Sequence, residues 1–289
     1  MDKEPKKHYN FSVTPDTLKS ALQDIMTFEE YASINHSTPY TYELSNGDKS
    51  LHYFGARHTF DSDSSMLNQI KTSFERFQPD MVFIEGAIWT DEKAREISSM
   101  PSEEVVAKYG EPGFTLKLAL EKGIYWHCPE PSAKEFFDYL SEQGFSKDEI
   151  FTWHLLYAAR HYSKKEQELS FEEYAKPYID YIKSGTNWPD FDFSPSRALE
   201  LGEQIIGRPI NLRTLDSEMP DLHNPIPSKN YSLINMIDAE WSNSRDKKII
   251  TDIAKALETN NRIFMVYGAT HAVMEEPALR KLFESETSS

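Results

Sequence analysis

The strongest constraint on the fold of this chain is an alternation of short apolar runs with amphipathic helical segments. Met81–Ile84 and Ile263–Tyr267 are continuous apolar runs of the kind that form buried strands. Leu51–Phe54 is a shorter, aromatic-rich run, and apolar residues recur at helical spacing over 66–77. Strand, helix, strand within about thirty residues is a βαβ unit. The two strands of this unit are therefore predicted to be parallel.

The whole pattern predicts a single α/β domain over 1–289, with a largely parallel central sheet that the two ends of the chain share. The segment 147–207 is helical and without a strand pattern, and it is interpreted as an insertion or cap within that domain. Residues 208–230 are rich in proline and polar groups, which predicts a long loop bordering a site. The other predicted elements are helices over 114–121, 136–140, 233–241 and 249–257, a third strand at Ile124–Trp126, and a last helix that starts near Pro277.

Length and charge exclude several classes of protein. The 289 residues, 39% of them hydrophobic, are enough to build one substantial core. The formal net charge of -16 repels phosphate backbones and anionic lipid, which argues against nucleic acid as a partner. No stretch approaches the ~18 apolar residues of a membrane span, and the charged N-terminus lacks the apolar core of a signal peptide. A cytoplasmic location is therefore expected. The single cysteine, Cys128, excludes an intramolecular disulfide.

Two short segments of the chain are alike, Gly55-Ala56-Arg57-His58 and Gly268-Ala269-Thr270-His271. Each follows an apolar strand and precedes a helical pattern. A glycine at the end of a strand permits a sharp turn or a close backbone approach. The histidine then lies beyond the carboxyl end of its strand, which is the edge of a parallel sheet where ligands bind. One Gly-x-x-His pattern carries little weight, but its repetition in the same setting predicts one shared site.

Two further residues are candidates for the same edge. Glu85 directly follows the run Met81–Ile84, and a right-handed crossover would place it beside the strand of His58. It either caps a helix or belongs to the site. Arg245 stands at the start of the helix that precedes the last strand, where a surface salt bridge is the alternative to a functional role.

Together these segments resemble the TraB/PrgY/GumN and TIKI proteins and their erythromycin-esterase and ChaN-like relatives. Gly-Ala-Arg-His, Phe-Ile-Glu-Gly, Arg-Asp before an amphipathic helix and Tyr-Gly-Ala-Thr-His occur in this order, and the likeness is best over 51–90 and 240–283. The resemblance implies an α/β fold of two related halves with the site between them. TIKI members resemble metal-dependent peptidases, erythromycin esterases are hydrolases without an obvious metal, and ChaN-like members bind haem.

The resemblance maps the functional positions of the family onto His58, Glu85, Arg245 and His271, and it implies hydrolysis of an ester or amide bond. Two histidines and one glutamate suit a divalent metal with open coordination positions, such as Mn, Co, Zn or Fe. Without a metal, one histidine would be the general base, oriented by Glu85, and the other histidine or Arg245 would stabilise the oxyanion. The sequence does not choose between these mechanisms.

Other residues near the predicted edge have both a functional and a structural interpretation. Arg57 and Glu130 are expected to contact the substrate, Glu130 because it follows the third strand. Asp61 would supply a metal oxygen or, alternatively, cap the following helix. Packing or solvent exposure is the favoured interpretation of the remaining candidates, which are His127, Cys128, His154, His161, Tyr174, Tyr178, Tyr181 and Trp188.

The rival hypothesis is a binding protein for haem or a small signalling ligand that keeps the site geometry without catalysis. It predicts an axial tyrosine or histidine beside a flat apolar pocket, whereas a hydrolase predicts histidines within reach of a common water. No P-loop, nucleotide-binding glycine fingerprint or Gly-x-Ser-x-Gly nucleophile elbow is present. The expected partner is a small-molecule or peptide substrate, and a homo-oligomer is compatible with the sequence.

Overall fold

Helices alternate with short strands in the computed structural model, which describes residues 13–86, 89–164, 169–228 and 231–284. The strands are β1 (Tyr40–Asn46), β2 (Lys49–Ala56), β3 (Met81–Ile84), β4 (Tyr125–His127) and β5 (Arg262–Gly268). The helices are α1 (Pro15–Leu22), α2 (Phe28–Ala32), α3 (Ser65–Phe77), α4 (Asp91–Ser99), α5 (Ser102–Lys122), α6 (Ala133–Glu142), α7 (Lys147–Ser163), α8 (Phe171–Gly185), α9 (Pro195–Ile206), α10 (Leu215–Glu218), α11 (Leu233–Ala256) and α12 (Ala269–Glu284).

The five strands of the described ranges form one sheet in the order β1-β2-β5-β3-β4. β1 pairs with β2 in antiparallel orientation, and every other pairing is parallel. The prediction of a mixed α/β fold with a mostly parallel sheet is therefore confirmed. β1 was not predicted, because it is an edge strand in which only Tyr42 and Leu44 are buried, and it lacks a continuous apolar run.

β5 lies between β2 and β3 in the sheet. The sequence predicted Glu85 beside the strand of His58, because β2 and β3 follow each other along the chain, and this placement was wrong. The parallel register aligns Ala56 with Gly268, and Ile84 with Val266. The carboxyl ends of the three strands therefore meet at one edge, with His58 and Glu85 arriving from opposite sides of β5.

Both faces of the sheet are buried along β5, which explains why this strand is apolar at every position from Ile263 to Tyr267 rather than at alternate ones. One face packs Tyr53 and Met265 against the last turns of α11 and against α12. The other face packs Phe54 and Phe264 against α3, α4 and α5. The two opposed layers hold the strand ends, and hence the residues just beyond them, in fixed positions.

The chain divides into two compact units, residues 1–130 with 246–289 and residues 131–245. In the second unit every element of the described residues is a helix, from α6 to the first part of α11, and these helices have a hydrophobic cluster of their own. The predicted helical segment 147–207 lies inside this unit, which extends beyond it at both ends. That the whole chain folds as one domain stays a prediction.

Some helix boundaries differ from the sequence prediction. α12 begins at Ala269 and not near Pro277, which stands inside it. Buried Ala272, Ala278 and Leu279 pack on both sides of this proline, and their burial sustains the helix through the missing hydrogen bond. The helices predicted over 233–241 and 249–257 are one helix, α11, and the predicted loop over 208–230 contains the short helix α10. Within the described ranges, no helix combines the length and the apolar character that crossing a bilayer requires.

Candidate functional site

Three of the predicted site residues meet at the carboxyl end of β5, around Gly268. The point at which a Cβ on Gly268 would stand lies 3.4 Å from His58 Nε2, 3.6 Å from Glu85 Oε2 and 3.7 Å from His271 Cδ2. His58 Nε2 and Glu85 Oε2 are 3.7 Å apart. Glu85 is anchored here because the Gly268 N–H donates a 2.8 Å hydrogen bond to its Oε2. The three side chains thus surround one small space, which glycine keeps open.

Each of these side chains follows directly from the way its strand ends. β2 ends at Ala56, and the chain leaves it as a loop that carries His58. β3 ends at Ile84, so that Glu85 is the first residue beyond the sheet. β5 continues without a loop into α12, which places His271 in the first turn of that helix. Adjacent parallel strands therefore deliver all three side chains to the edge at which ligands bind in such sheets.

His58 is an exposed side chain that is held by a buried one. The imidazole is 60% exposed, and its Nδ1 lies 2.6 Å from Oε1 of Glu111, which is 2% exposed. The other carboxylate oxygen of Glu111 accepts a 2.9 Å hydrogen bond from the Thr59 N–H. Glu111 belongs to α5, directly after Gly110, where the backbone departs from helical geometry. The carboxylate therefore fixes both the ring and the loop that carries it.

His271 is buried and faces two carboxylates. Its side chain is 10% exposed, its Nδ1 is hydrogen-bonded to Oδ1 of Asp246, and Oε1 of Glu275 lies 3.9 Å away. Both carboxylates are completely buried. The Tyr53 hydroxyl donates a 3.0 Å hydrogen bond to Oε2 of Glu275. Burial, reinforced by the charge of Glu275, raises the pKa of Tyr53 well above its usual value, so this hydroxyl remains a neutral donor.

The carboxylates around His271 form a group that could hold a metal ion. One ligand atom from each of Asp246, His271 and Glu275 lies within 4.8 Å of the others. Asp246 Oδ2 is buried and has no hydrogen-bond partner among the residues that the structure describes. A buried carboxylate oxygen without a donor is unfavourable by about 1–3 kcal/mol or more. A cation or a proton is the kind of partner that would relieve this oxygen.

The structure places the other predicted residues differently. Glu130 lies at the same edge, where its Oε1 accepts hydrogen bonds from the Tyr267 hydroxyl at 2.9 Å and the Gly86 N–H at 3.5 Å. The side chain of Arg57 is exposed and makes no hydrogen bond to the described part of the chain. Arg245 belongs to the second unit, where its guanidinium lies 5.6 Å from the ring centroid of Trp241.

Asp61 and His127 serve local structure. Oδ1 of Asp61 accepts a 3.0 Å hydrogen bond from the Asp63 N–H in the turn before α3, and the N-cap residue of that helix is Ser64. His127 Nε2 lies 2.7 Å from Oδ2 of Asp252, and the Cys128 thiol donates to the carbonyl of Gly86.

In the second unit, the candidate histidines and aromatic residues take part in packing. His154 Nε2 is 3.0 Å from the carbonyl oxygen of Tyr178, and burial lowers the pKa of this histidine to about 4. The ring of His161 packs edge-on to Tyr157 at 4.5 Å between centroids. Tyr174, Tyr178 and Trp188 are partly buried against the hydrophobic cluster of this unit, and the ring of Tyr181 stacks on His154.

Sequence reasoning missed three acidic residues, and each had a weak signal. Glu275 stands four residues after His271, a spacing that places two side chains on one face of a helix. Asp246 directly follows Arg245, and Glu111 lies between Gly110 and Pro112, two residues that interrupt a helical pattern.

Comparisons of the chain with family models, curated proteins and solved structures found no match.

Proposed function

We propose that this chain is a hydrolase of ester or amide bonds, and that His58, Glu85 and His271 form its centre together with a divalent metal. The observation that carries the proposal is the convergence of the three side chains around the space beside Gly268. Two imidazoles and one carboxylate are a common protein ligand set of catalytic metal sites, which leave further positions open for water and substrate. Two related halves, each with one Gly-Ala-x-His turn, are part of the same proposal.

The charge near this space supports a bound cation. The two histidines are surrounded by Glu85, Glu111, Asp246 and Glu275. Three of these carboxylates are at most 2% exposed. Buried carboxylates require a compensating positive charge or a proton, because their desolvation is strongly unfavourable. A divalent ion would supply two positive charges next to this group.

In the proposed centre His58 and His271 would hold the metal through the ring nitrogen that is not bonded to a carboxylate, with Glu85 as an oxygen ligand or general base. When bound, a divalent ion polarises the scissile carbonyl and lowers the pKa of a bound water. His58 is 60% exposed, so substrate and water can reach the space from its side. The hydrogen bond from the Gly268 N–H keeps Glu85 in place while it takes up a proton.

The buried group of Asp246, His271 and Glu275 is the other place at which a metal could bind. An ion there would have to replace the hydrogen bond between His271 and Asp246, and it would be closed to solvent. The space beside Gly268 is therefore the better site for catalysis. The haem alternative requires a flat apolar pocket beside an axial ligand, whereas carboxylates lie beside His58, and the geometry gives it no support.

The test is metal content and hydrolysis measured on the same preparations. Wild-type protein, His58→Ala, His271→Ala and Glu85→Gln are titrated with Mn, Co, Zn and Fe and assayed with chromogenic esters and a peptide mixture. His161→Ala is the control, because this histidine lies in the second unit and packs on Tyr157. We expect stoichiometric metal and hydrolysis in wild type and control, and loss of both in the three site variants.

Other results would redirect or overturn the proposal. Metal binding that survives Glu85→Gln but is lost in Glu275→Gln would move the metal to the buried group. Hydrolysis without metal that still requires both histidines would replace the metal mechanism by general-base catalysis. Neither metal nor hydrolysis, together with a Soret band after haem addition that His58→Ala removes, would replace the hydrolase by a haem-binding protein.

A further inference from the structure

Glu111 is a completely enclosed carboxylate with two partners on one short loop. Its Oε1 lies 2.6 Å from Nδ1 of His58, and its Oε2 accepts a 2.9 Å hydrogen bond from the Thr59 N–H. The residue is 2% exposed, and burial of a charged carboxylate is unfavourable unless its oxygens are satisfied. The contacts with His58 and Thr59 satisfy one carboxylate oxygen each.

These contacts determine which nitrogen of His58 carries the proton. The backbone N–H of Thr59 is always a donor, so it occupies Oε2. An ionised carboxylate has no proton to give, so Oε1 can only accept from the second partner. Opposite an ionised carboxylate, Nδ1 of His58 is therefore the nitrogen that carries the proton. In the neutral ring Nε2 is then an acceptor, and Nε2 is the atom that lies 3.4 Å from the point a Cβ on Gly268 would occupy.

The backbone is shaped to present this carboxylate. α5 is interrupted at Gly110, which has φ +66° and ψ −161°. A Cβ at Gly110 would lie 3.0 Å from the carbonyl oxygen of Thr59, so the positive φ and the close approach both favour glycine. Pro112, which follows Glu111, has no backbone N–H, so it leaves no donor unsatisfied at the break in the helix. Because α5 is interrupted here, the consecutive residues Gly110 and Glu111 both lie against the loop that carries His58.

The same arrangement occurs at the second histidine from a different part of the chain. His271 also has its Nδ1 bonded to a buried carboxylate, that of Asp246 in α11. Its Cδ2, the ring carbon next to Nε2, lies 3.7 Å from the point beside Gly268. Two independent carboxylates thus hold the Nδ1 side of two imidazoles whose other ring atoms border one space. Carboxylate–histidine pairs of this kind fix the ring of a metal ligand and raise its basicity.

We infer that Glu111 is the positioning residue of the site: it holds His58 in the Nδ1–H form and directs Nε2 to the space beside Gly268. The inference rests on the proposed function only in that Nε2 is the atom that binds metal or takes up a proton. The tautomer itself is a property of the protein without any ligand. It can be measured whether or not the chain is a hydrolase.

The test is the tautomer of His58, read from long-range ¹⁵N–¹H NMR spectra at mildly alkaline pH, with assignment by His58→Ala. In wild type we expect the Nδ1–H form. Glu111→Gln retains the shape of the side chain but replaces one acceptor oxygen by an NH2 group. Its two partners, the Thr59 N–H and the His58 Nδ1–H, both donate. If the amide oxygen still accepts from the Thr59 N–H, the amide NH2 group faces Nδ1 of His58, and the ring proton moves to Nε2. Glu121→Gln is the matched control, since Glu121 is 51% exposed on the same helix and pairs with Lys117.

The expected outcome is a change of tautomer in Glu111→Gln and none in Glu121→Gln, with metal affinity reduced about 10–100-fold only in Glu111→Gln. An Nε2–H form in the wild-type protein would overturn the inference without recourse to any variant. An unchanged tautomer in a folded Glu111→Gln would also overturn it, because the carboxylate would then be structural only. Absence of metal binding in wild type beside the expected tautomer change would refute the proposed function and leave the role of Glu111 standing.

Discussion

The two Gly-Ala-x-His turns are alike in sequence and different in structure. His58 follows β2 on a loop, is 60% exposed, and is held by one carboxylate, Glu111. His271 lies in the first turn of α12, is 10% exposed, and has the carboxylates of Asp246 and Glu275 beside it. One histidine can therefore meet a substrate while the other forms part of the interior. The shared motif specifies a place at the sheet edge and not a common environment.

The two glycines of the motif also differ in what they permit. A Cβ on Gly55 would lie 2.7 Å from both the Tyr40 carbonyl oxygen and the Ala272 Cβ. A Cβ on Gly268 would make ordinary contacts of 3.4 Å or more, but it would stand among His58, Glu85 and His271. Gly55 therefore allows close packing of β1 and α12 on β2, whereas Gly268 leaves open the space between His58, Glu85 and His271. One glycine is required for packing, and the other leaves room for the proposed metal.

The largest expected effect is the loss of stability on removing the buried histidine. His271→Ala leaves the buried Asp246 carboxylate without its imidazole partner, and removing the partner of a buried carboxylate typically reduces the free energy of unfolding by about 3–5 kcal/mol. His58→Ala should reduce it by about 1 kcal/mol, because water can take the place of the exposed ring at Glu111. Urea denaturation of both variants measures the difference. Similar losses would show that burial does not distinguish the two turns.

A third histidine, His154, is buried but is not paired with a carboxylate. As whole residues, His154 and His271 are 7% and 8% exposed, but the partner of His154 is the carbonyl of Tyr178. Burial lowers its pKa from 6.5 to about 4, so the unfolded chain binds a proton there before the folded protein does as the pH falls. Stability from this group is present above about pH 6.5 and is lost progressively down to about pH 4. The loss should reach about 3 kcal/mol.

The measurement is the free energy of unfolding as a function of pH, in wild type and in His154→Phe. Phenylalanine preserves the ring packing against Phe137 and Tyr181 and has no proton to gain. The slope between about pH 6.5 and pH 4 should therefore become shallower in the variant. An unchanged slope would mean that groups other than His154 control the acid sensitivity.

Sequence reasoning predicted the strands and the edge of the sheet well, because both depend on local pattern. Met81–Ile84 and the apolar run before Gly268 are buried on both faces and hence apolar at every position. The position of β5 between β2 and β3 could not be predicted, since strand order depends on packing between distant segments. The antiparallel β1 was missed because an edge strand is half exposed.

For the site, the residues that follow strands were predictable and their supporting carboxylates were not. His58, Glu85 and His271 are each fixed by the end of a strand, and the pattern of apolar runs marks those ends. Glu111 stands 53 positions from His58 in the chain, and the flanking Gly110 and Pro112 indicate a break in the helix but not the burial of an acidic side chain. Arg245, placed in the site by resemblance alone, belongs to the second unit. Burial of a charge depends on the tertiary structure, and periodicity does not reveal it.

Alanine at the two glycines would test the second half of the comparison. Gly55→Ala should lower the free energy of unfolding by about 2–3 kcal/mol, since the added methyl group meets a backbone oxygen and a fixed Cβ at 2.7 Å. Gly268→Ala should change stability by less than about 0.5 kcal/mol, because its contacts are ordinary, and should abolish binding at the site. Thermal unfolding and metal titration measure the two properties. Retained binding in Gly268→Ala would place the functional space elsewhere.

The last expected effect concerns the second carboxylate beside His271. Tyr53→Phe removes the hydroxyl that donates to Glu275 at 3.0 Å, and losing a hydrogen bond to a charged group should lower the free energy of unfolding by about 1.5–3 kcal/mol at most. Tyr42→Phe is the matched control, because its hydroxyl donates at 3.2 Å to the neutral carbonyl of Ala272 on the same helix. It should lose about 1 kcal/mol. A larger loss for Tyr53→Phe would show that Glu275 is ionised in the folded protein. Equal losses would show that it carries a proton, and His271 would then face only one charged carboxylate, as His58 does.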